Sequence, residues 1–198
     1  MKNSRRKRKK RRTKNLLFLL LVAGVLFLVW RSIGYPGLYY PGKNAPMPSA
    51  LHPEVKQKAD TLVSRAAEKG ITIQIYEGFR SNEEQEELYA QGRTEKGNIV
   101  THARAGESYH NFGLAVDFAL LTKDEQLIWD MEYDMNGNGR SDWNEVVAIA
   151  KELGFEWGGD WPNFKDYPHL QMTFGLSIRE LQWGKRPPGS NIAENQNS

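Results

Sequence analysis

The chain of 198 residues contains no cysteine. This absence constrains the fold strongly, because it removes disulfide bonds, thiolate metal ligands and a cysteine nucleophile together. A metal site in this chain must be made from His, Asp and Glu side chains, and the fold must be stabilised by packing or by bound ions. A content of 39% hydrophobic and 11% aromatic residues is sufficient to build a core.

Basic residues are concentrated at the amino terminus. Residues 1–14 hold ten of the 27 Lys and Arg residues and no acidic residue, so the rest of the chain is mildly acidic. A nucleic-acid-binding domain requires a basic face on its folded part. The distribution of charge therefore predicts no nucleic-acid partner.

An unbroken apolar run, Leu16–Trp30, follows this basic tail. A helix of that length spans about 22 Å, short of the ~30 Å hydrocarbon core, but Lys14 and Arg31 can extend their charged ends to the headgroups. We predict that residues 15–33 form a single-pass transmembrane anchor and that the remainder lies outside the cytoplasm, because the basic flank stays inside. The alternative is a signal segment that is cleaved to release a secreted protein.

Residues 34–50 are rich in Pro and Gly and show no helical or strand periodicity, which is typical of a stiff linker. Residues 51–183 are predicted to form the folded domain, and the polar tail 184–198 is predicted to be disordered.

Helical and strand patterns alternate irregularly along the domain. Helices are predicted over 53–70, 81–92 and 144–153, and strands over 71–76, 114–120 and 169–174. The polar segment 94–107 is predicted to be a loop. Since no βαβ unit repeats, the order indicates an α+β domain with an antiparallel sheet and flanking helices.

The segment Ser108–Asp117 carries the most informative polar residues. On the predicted strand Asp117 is the one polar residue on its face, and a buried acid is costly unless it is paired or binds a metal. Gly113 permits a tight backbone path that brings His110 towards the same ion. His169, at the start of a later strand, would complete a His-Asp-His set. Three protein ligands leave a position for water, as in catalytic zinc sites.

These patterns alone leave other interpretations open. A single His is more often structural than a ligand, Asp117 could be a satisfied buried acid, and Asp166 could form a turn before Pro168. His52 and His102 are further candidate ligands.

Three motifs in order resemble the M15 family of bacterial zinc peptidases. They are E-G-F-R-S at Glu77–Ser81, S-x-H-x-x-G-x-A-x-D at Ser108–Asp117 and D-x-P-H at Asp166–His169. This family shares the fold of D-alanyl-D-alanine carboxypeptidases and of the hedgehog signalling domain. The likeness extends over roughly residues 51–173 and is greatest to the branch of L-alanyl-D-glutamate endopeptidases.

The resemblance implies a role for each matching residue. It implies that His110, Asp117 and His169 bind one zinc ion, that Asp166 is the catalytic acid and base, and that Arg80 stabilises the oxyanion. It also implies a bacterial enzyme that hydrolyses peptidoglycan stem peptides, preferably at the L-Ala–D-Glu bond.

Two alternatives accompany this interpretation. Within the enzyme class, the chain could be a D-alanyl-D-alanine carboxypeptidase. Outside it, the chain could be a non-catalytic, zinc-containing module that binds the cell wall. The presence of both Asp166 and Arg80 argues against this alternative.

Further residues are predicted around the site. Asp160 is the rival to Asp166 as the base. Ser108, Tyr109 and Trp161 are predicted to line the substrate cleft, as is Trp157, although core packing is an equal alternative for the tryptophans.

A second ion site is predicted downstream. The segment Asp134–Glu145 fits the D-x-[DN]-x-[DN]-G-x5-E pattern of an EF-hand calcium loop. Its candidate ligands are Asp134, Asn136, Asn138, Asp142 and Glu145. Ser141 stands where an apolar residue is usual, and a Gly- and Asn-rich turn without calcium is the alternative.

Overall fold

The structure, a computed structural model, describes residue 42 and residues 44–192. The predicted basic tail, 1–14, and the predicted transmembrane segment, 15–33, lie outside these residues. Within the described part of the chain, every helix is too short or too polar to cross a bilayer.

The helices and strands follow the predicted order. The helices are α1 (Pro53–Glu68), α2 (Asn82–Ala90), α3 (Asp142–Glu152) and α4 (Ile178–Gln182), and the strands are β1 (Ile73–Glu77), β2 (Ala115–Leu121), β3 (Leu127–Ile128), β4 (Glu156–Trp157) and β5 (His169–Gln171). The six predicted elements are confirmed, with bounds that differ by a few residues. The short β3, β4 and α4 were not predicted, because two to five residues carry too little periodicity.

One antiparallel sheet organises the domain. Its strand order is β1-β2-β5-β4, and β3 also pairs with β2. The predicted α+β class with an antiparallel sheet and flanking helices is therefore confirmed. The register places Asp117 of β2 opposite His169 of β5 and opposite Glu77 of β1. Two distant parts of the chain thus meet at Asp117.

The core lies between the sheet and helices α1 and α3, both of which bury their apolar faces. Phe118 of β2 and Trp143 of α3 are fully buried, and their ring centroids lie 4.5 Å apart. Leu62 of α1 and Val146 of α3 are also fully buried. Burial of such side chains stabilises the fold by roughly 1.5–3 kcal/mol each. This packing fixes β2, the strand that carries Asp117.

Residues 184–192 differ from the expectation of a disordered tail. Arg186 is only 2% exposed, and its guanidinium donates hydrogen bonds to the carbonyl oxygens of Leu181 and Pro46 at 2.6 and 3.2 Å. Pro48, in the predicted linker, forms a β-bridge with Ile192. The two ends of the domain therefore pack against each other. The backbone carbonyl oxygens of these segments provide the acceptors that the buried guanidinium of Arg186 needs.

His52 is a structural residue and not a metal ligand in this fold. Its Nδ1 accepts a hydrogen bond from the backbone N–H of Glu54 at 3.2 Å, which caps the start of α1. Its Nε2–H donates to the carbonyl oxygen of Pro188 at 2.8 Å, so the same ring also holds the carboxy-terminal segment.

Replacing His52 by Ala is expected to lower the free energy of unfolding by about 1–2 kcal/mol, because the helix cap and a hydrogen bond are lost together. Urea denaturation followed by circular dichroism would measure this change. His102→Ala is the matched control. Equal midpoints for the two variants would contradict the capping role.

Candidate metal centre

A short 3-10 turn, Tyr109–Phe112, presents His110 to the sheet. Ser108 caps this turn, since its Oγ accepts from the backbone N–H of His110 at 3.3 Å. Gly113 ends it with a φ of 67°, and a Cβ there would lie 2.3 Å from the carbonyl oxygen of Ala50. The predicted need for glycine is therefore confirmed.

Three predicted ligands converge near the amino-terminal end of β2. His110 Nε2 and His169 Nδ1 each lie 3.3 Å from Asp117 Oδ1, and the two nitrogens lie 3.1 Å from each other. Both histidines are buried, with 3% and 5% of their surface exposed. Within the described residues, only this set brings three His or carboxylate ligand atoms within 4.8 Å of one another.

The outer hydrogen bonds of the two rings determine which nitrogens carry protons. The Nδ1–H of His110 donates to the carbonyl oxygen of Gly78 at 2.7 Å, and the Nε2–H of His169 donates to Gln171 Oε1 at 3.0 Å. The inner nitrogens therefore present lone pairs towards Asp117 Oδ1. That buried oxygen has no hydrogen-bond partner among the described residues. Three converging acceptors without a donor require a cation, and two imidazoles with one carboxylate suit zinc.

The electrostatics of the cluster agree with this geometry. Burial opposes ionisation of Asp117, but hydrogen bonds and positive charge from His110 and His169, when their rings are protonated, outweigh it and hold the pKa of that carboxyl far below its usual range. A bound cation in place of these protons would have the same effect. Asp117 is therefore an anion at neutral pH, as a metal ligand must be.

Asp166 lies beside the cluster in the loop that leads into β5. Its backbone N–H donates to the carbonyl oxygen of Gly158 at 3.2 Å, and a Cβ on Gly158 would lie 2.4 Å from the carbonyl oxygen of Asp166. Burial, followed by the charge of Asp117, raises the pKa of the Asp166 carboxyl, and neighbouring cations offset only part of this rise. A raised pKa is typical of a group that both accepts and returns a proton.

Asp160, the rival base, occupies a different environment. Its side chain is exposed and lies 2.7 Å from Lys151 Nζ in an ion pair. It does not line the cleft that contains the three ligands. The structure therefore favours Asp166 over Asp160.

Arg80 enters the same cleft from the segment between β1 and α2. Its Nη1 donates to Gln85 Oε1 at 3.0 Å, and its Nη2 lies 3.6 Å from Glu77 Oε2. Gln85 is fully buried, and its Nε2 donates to the carbonyl oxygen of Ala103 at 2.8 Å. Gln85 thus connects Arg80 to the loop that covers α2.

The cluster opens into a cleft of about 900 Å³. The predicted cleft residues Ser108, Tyr109 and Trp161 all line it, and the ring centroid of Trp161 lies 5.1 Å from that of His169. Trp157 does not line the cleft; its indole N–H donates to the carbonyl oxygen of Tyr167 at 2.7 Å.

Several cleft residues were not predicted from the sequence. Burial, followed by the charge of Asp117, raises the pKa of Tyr76 to about 12, so its hydroxyl keeps its proton and can donate a hydrogen bond in the cleft. Apolar side chains form part of the wall: Leu88, Val100, Phe164 and Ile178. Their positions depend on loop folding, and no local sequence pattern indicates them.

The candidate calcium ligands lie in the loop before α3 and in its first turn, and they do not form a closed site. They are Asp134, Asn136, Asn138, Asp142 and Glu145. Their carboxylates are not among those brought within 4.8 Å of one another in the described part of the chain. Calcium binding therefore stays a prediction.

Comparison with known proteins assigns the family. A family model described as D-alanyl-D-alanine carboxypeptidase matches residues 101–172, which include the three ligands and Asp166. The peptidoglycan L-alanyl-D-glutamate endopeptidase CwlK of Bacillus subtilis (strain 168) is 64% identical over 152 residues, which cover 75% of this chain and 91% of that protein. The L-alanyl-D-glutamate peptidase of Listeria phage A118 is 34% identical over 137 residues, which cover 69% of this chain and 43% of the phage protein.

Among solved structures, the Serratia marcescens L-Ala D-Glu endopeptidase ChiX aligns with a TM-score of 0.45 and 23% identity. The alignment covers 67% of this chain and 85% of that chain.

A His-Asp-His cluster open to a cleft is the arrangement expected of a metal-dependent hydrolase. The chain belongs to the M15 family of peptidases, since the Bacillus subtilis relative is matched over nearly its whole length. The resemblance inferred from the three motifs is therefore confirmed.

Replacing Gln85 by Leu is expected to lower kcat about 10- to 100-fold with little change in zinc content, because Arg80 loses the acceptor that orients it. KM and kcat should be measured together with the metal content. The matched control is Gln57→Leu, on the exposed face of α1. An unchanged kcat for Gln85→Leu would show that Arg80 needs no such support.

Proposed function

We propose that this chain is a zinc peptidase that hydrolyses the L-Ala–D-Glu bond of peptidoglycan stem peptides. The observation that carries the metal assignment is the convergence of His110 Nε2, Asp117 Oδ1 and His169 Nδ1 without a proton donor. The choice of bond is supported by the 64% identity to the Bacillus subtilis endopeptidase.

The three ligands would hold zinc at the floor of the cleft. When bound, zinc supplies Lewis-acid chemistry, by which it polarises a peptide carbonyl and lowers the pKa of a coordinated water to about 7. Gly78 and Gln171 fix the proton positions of the two histidines, so the ligand nitrogens are ready to bind the metal without rearrangement.

Asp166 is the proposed proton carrier. It lines the cleft beside the ligands, where it can accept a proton from the attacking water and return it to the leaving amine of the peptide. Its raised pKa makes it a stronger base for the first transfer than an ordinary surface carboxylate would be.

Arg80 is the proposed electrostatic stabiliser. Its guanidinium lines the same cleft, and its buried Nε has no hydrogen-bond partner within the described residues. A donor held in this way can stabilise the negative charge that develops on the carbonyl oxygen, an effect of roughly 3–4 kcal/mol for one such group. Glu77 and Gln85 hold the other side of the guanidinium.

The cleft has polar and apolar walls, which suits a peptide substrate. We propose that Ser108, Tyr109 and Trp161 contact the substrate, although the Tyr109 hydroxyl already donates to the carbonyl oxygen of Leu176 at 2.9 Å.

D-alanyl-D-alanine carboxypeptidase activity is the second candidate, because the matching family model carries that description. The two activities release different products from one substrate. The full chain, loaded with one equivalent of zinc, should be incubated with pentapeptide muropeptides and the products identified by mass spectrometry.

Peptides with a new amino-terminal D-Glu are the expected products. Release of D-Ala would instead identify the carboxypeptidase. An intact substrate in the presence of bound zinc would identify a non-catalytic module that binds the cell wall.

We also propose that residues 15–33 anchor the enzyme in the bacterial cell membrane with the peptidase domain outside. The basic run followed by the apolar run supports this orientation. Protease added to intact protoplasts should degrade the domain and spare a short membrane-bound fragment. A domain that is cut only after lysis would contradict the orientation, and a domain found only in the medium would indicate signal cleavage.

A further inference from the structure

The loop Asp134–Glu145 is not used by the peptidase site, and none of its residues lines the cleft. Its oxygen-bearing side chains occupy positions 1, 3, 5, 9 and 12 of the calcium-loop pattern. Gly139, at the sixth position, has a φ of 79°, which the sharp turn of such loops requires.

Several of these side chains accept hydrogen bonds from the backbone of the loop itself. Asp134 accepts hydrogen bonds from the backbone N–H groups of Asn138 and Gly139 at 3.1 and 2.8 Å. Asn136 Oδ1 accepts from the backbone N–H of Asn138 at 3.0 Å. These bonds account for the shape of the loop but not for its charge.

One buried carboxylate oxygen of the loop, on Asp142, has no hydrogen-bond donor in the described part of the chain. The side chain of Asp142 is fully buried, and Oδ2 accepts from the backbone N–H of Met135 at 2.6 Å, while Oδ1 has no hydrogen-bond partner among the described residues. Burial, together with the charges of Asp134 and Glu145, raises the pKa of Asp142, and backbone hydrogen bonds from Met135 and Asn136 offset only part of this rise. An unpaired buried carboxylate oxygen is costly, and a cation would satisfy it.

The one basic side chain paired with this loop does not balance the negative charge of its carboxylates. Within the described residues, the one ion pair made by this loop joins Lys69 Nζ to Glu145 Oε1 at 3.4 Å. Lys69 pairs with Glu145 alone, so Asp134 and Asp142 have no ion-pair partner among the described residues. A divalent ion would balance this charge more completely.

We propose that residues 134–145 bind one calcium ion through the side-chain oxygens of the five ligands and the carbonyl oxygen of Arg140. Calcium suits the loop because it accepts six to eight oxygen ligands in flexible geometry, whereas magnesium requires a near-ideal octahedron. The loop must contract on binding, and Glu145 must exchange Lys69 for the ion. Glu145 Oε2 must also release the Nδ2 groups of Asn136 and Asn138, which donate to it at 3.4 and 2.7 Å.

The ion would stabilise the packing of two helices. Asn136 Nδ2 donates to the carbonyl oxygen of Lys69 at the end of α1, and Glu145 belongs to α3. Calcium would therefore join α1 and α3 through one loop. The expected effect is on stability, in a domain that has no disulfide to serve the same purpose.

Calorimetric titration of the full chain with calcium tests the proposal. One equivalent should bind with a Kd of about 10⁻⁵–10⁻³ M. At roughly 100 times that concentration, the melting temperature should rise by about 5–10 °C. Magnesium at the same concentration should produce a much smaller rise. Neither measurement requires peptide hydrolysis, so its outcome is independent of the proposed function.

Two variants with opposite expected effects distinguish a calcium site from a charged loop. Glu145→Gln should weaken calcium binding at least about tenfold. Lys69→Met should strengthen it about two- to fivefold, because a competing ammonium is removed. Asp124→Asn, an exposed carboxylate outside the loop, is the matched control and should bind as the parent chain does. No saturable binding up to about 10 mM calcium, ten times the weak end for extracellular modules, or equal affinities for Glu145→Gln and Asp124→Asn, would overturn the proposal.

Discussion

Replacing Asp166 by Asn is expected to lower kcat by about 10²–10⁴-fold while zinc stays bound at one equivalent. The amide keeps the size of the side chain but cannot accept a proton from water. The backbone contacts of residue 166 with Gly158 and His169 do not involve the side chain, so the loop should keep its conformation. Steady-state kinetics and metal analysis of the same preparation provide the measurement.

Asp160→Asn is the matched control for this variant. Asp160 belongs to the same loop region but is exposed and paired with Lys151. Its amide variant should therefore keep nearly full activity. If Asp160→Asn were inactive and Asp166→Asn active, the base would be Asp160, and the assignment of Asp166 as the base would be wrong.

Replacing His169 by Ala is expected to reduce the bound zinc to less than about a tenth of an equivalent after dialysis, and to abolish activity with it. Removal of a group that merely orients a ligand already costs about 10- to 100-fold in affinity, so removal of the ligand itself should cost more. The remaining His110 and Asp117 are too few for a stable catalytic site.

His102→Ala is the appropriate control for metal content. His102 lines the cleft and lies 6.3 Å from Phe164 between ring centroids, but it is not part of the ligand cluster. This variant should retain one zinc. Retention of more than half of the metal by His169→Ala would contradict the ligand set.

The sequence predicted the parts of the site that depend on local patterns. Asp117 was found because strand alternation makes it the one acid between two alanines, and the register confirms that it lies opposite His169. The α1 start was found because proline at the first turn is a local signal. The role of His52 as its cap was not found, because it also depends on Pro188, far along the chain.

Other parts could not be predicted, because they arise from contacts between distant segments. Gln85 stands among four glutamates of α2, a context typical of an exposed helix, and it is buried only because residues 101–103 fold over it. The segment around Arg186 is polar and proline-rich, yet it is ordered because its guanidinium bonds to Pro46 and Leu181. The 3-10 turn that presents His110 is too short to be recognised from periodicity.

The most direct test of the catalytic centre is a zinc titration of the metal-free chain with muropeptide cleavage as the readout. The rate of L-Ala–D-Glu cleavage should rise in proportion to added zinc, reach its maximum at one equivalent and remain there. Full activity in the metal-free chain, or bound zinc without cleavage, would contradict a catalytic zinc held by His110, Asp117 and His169.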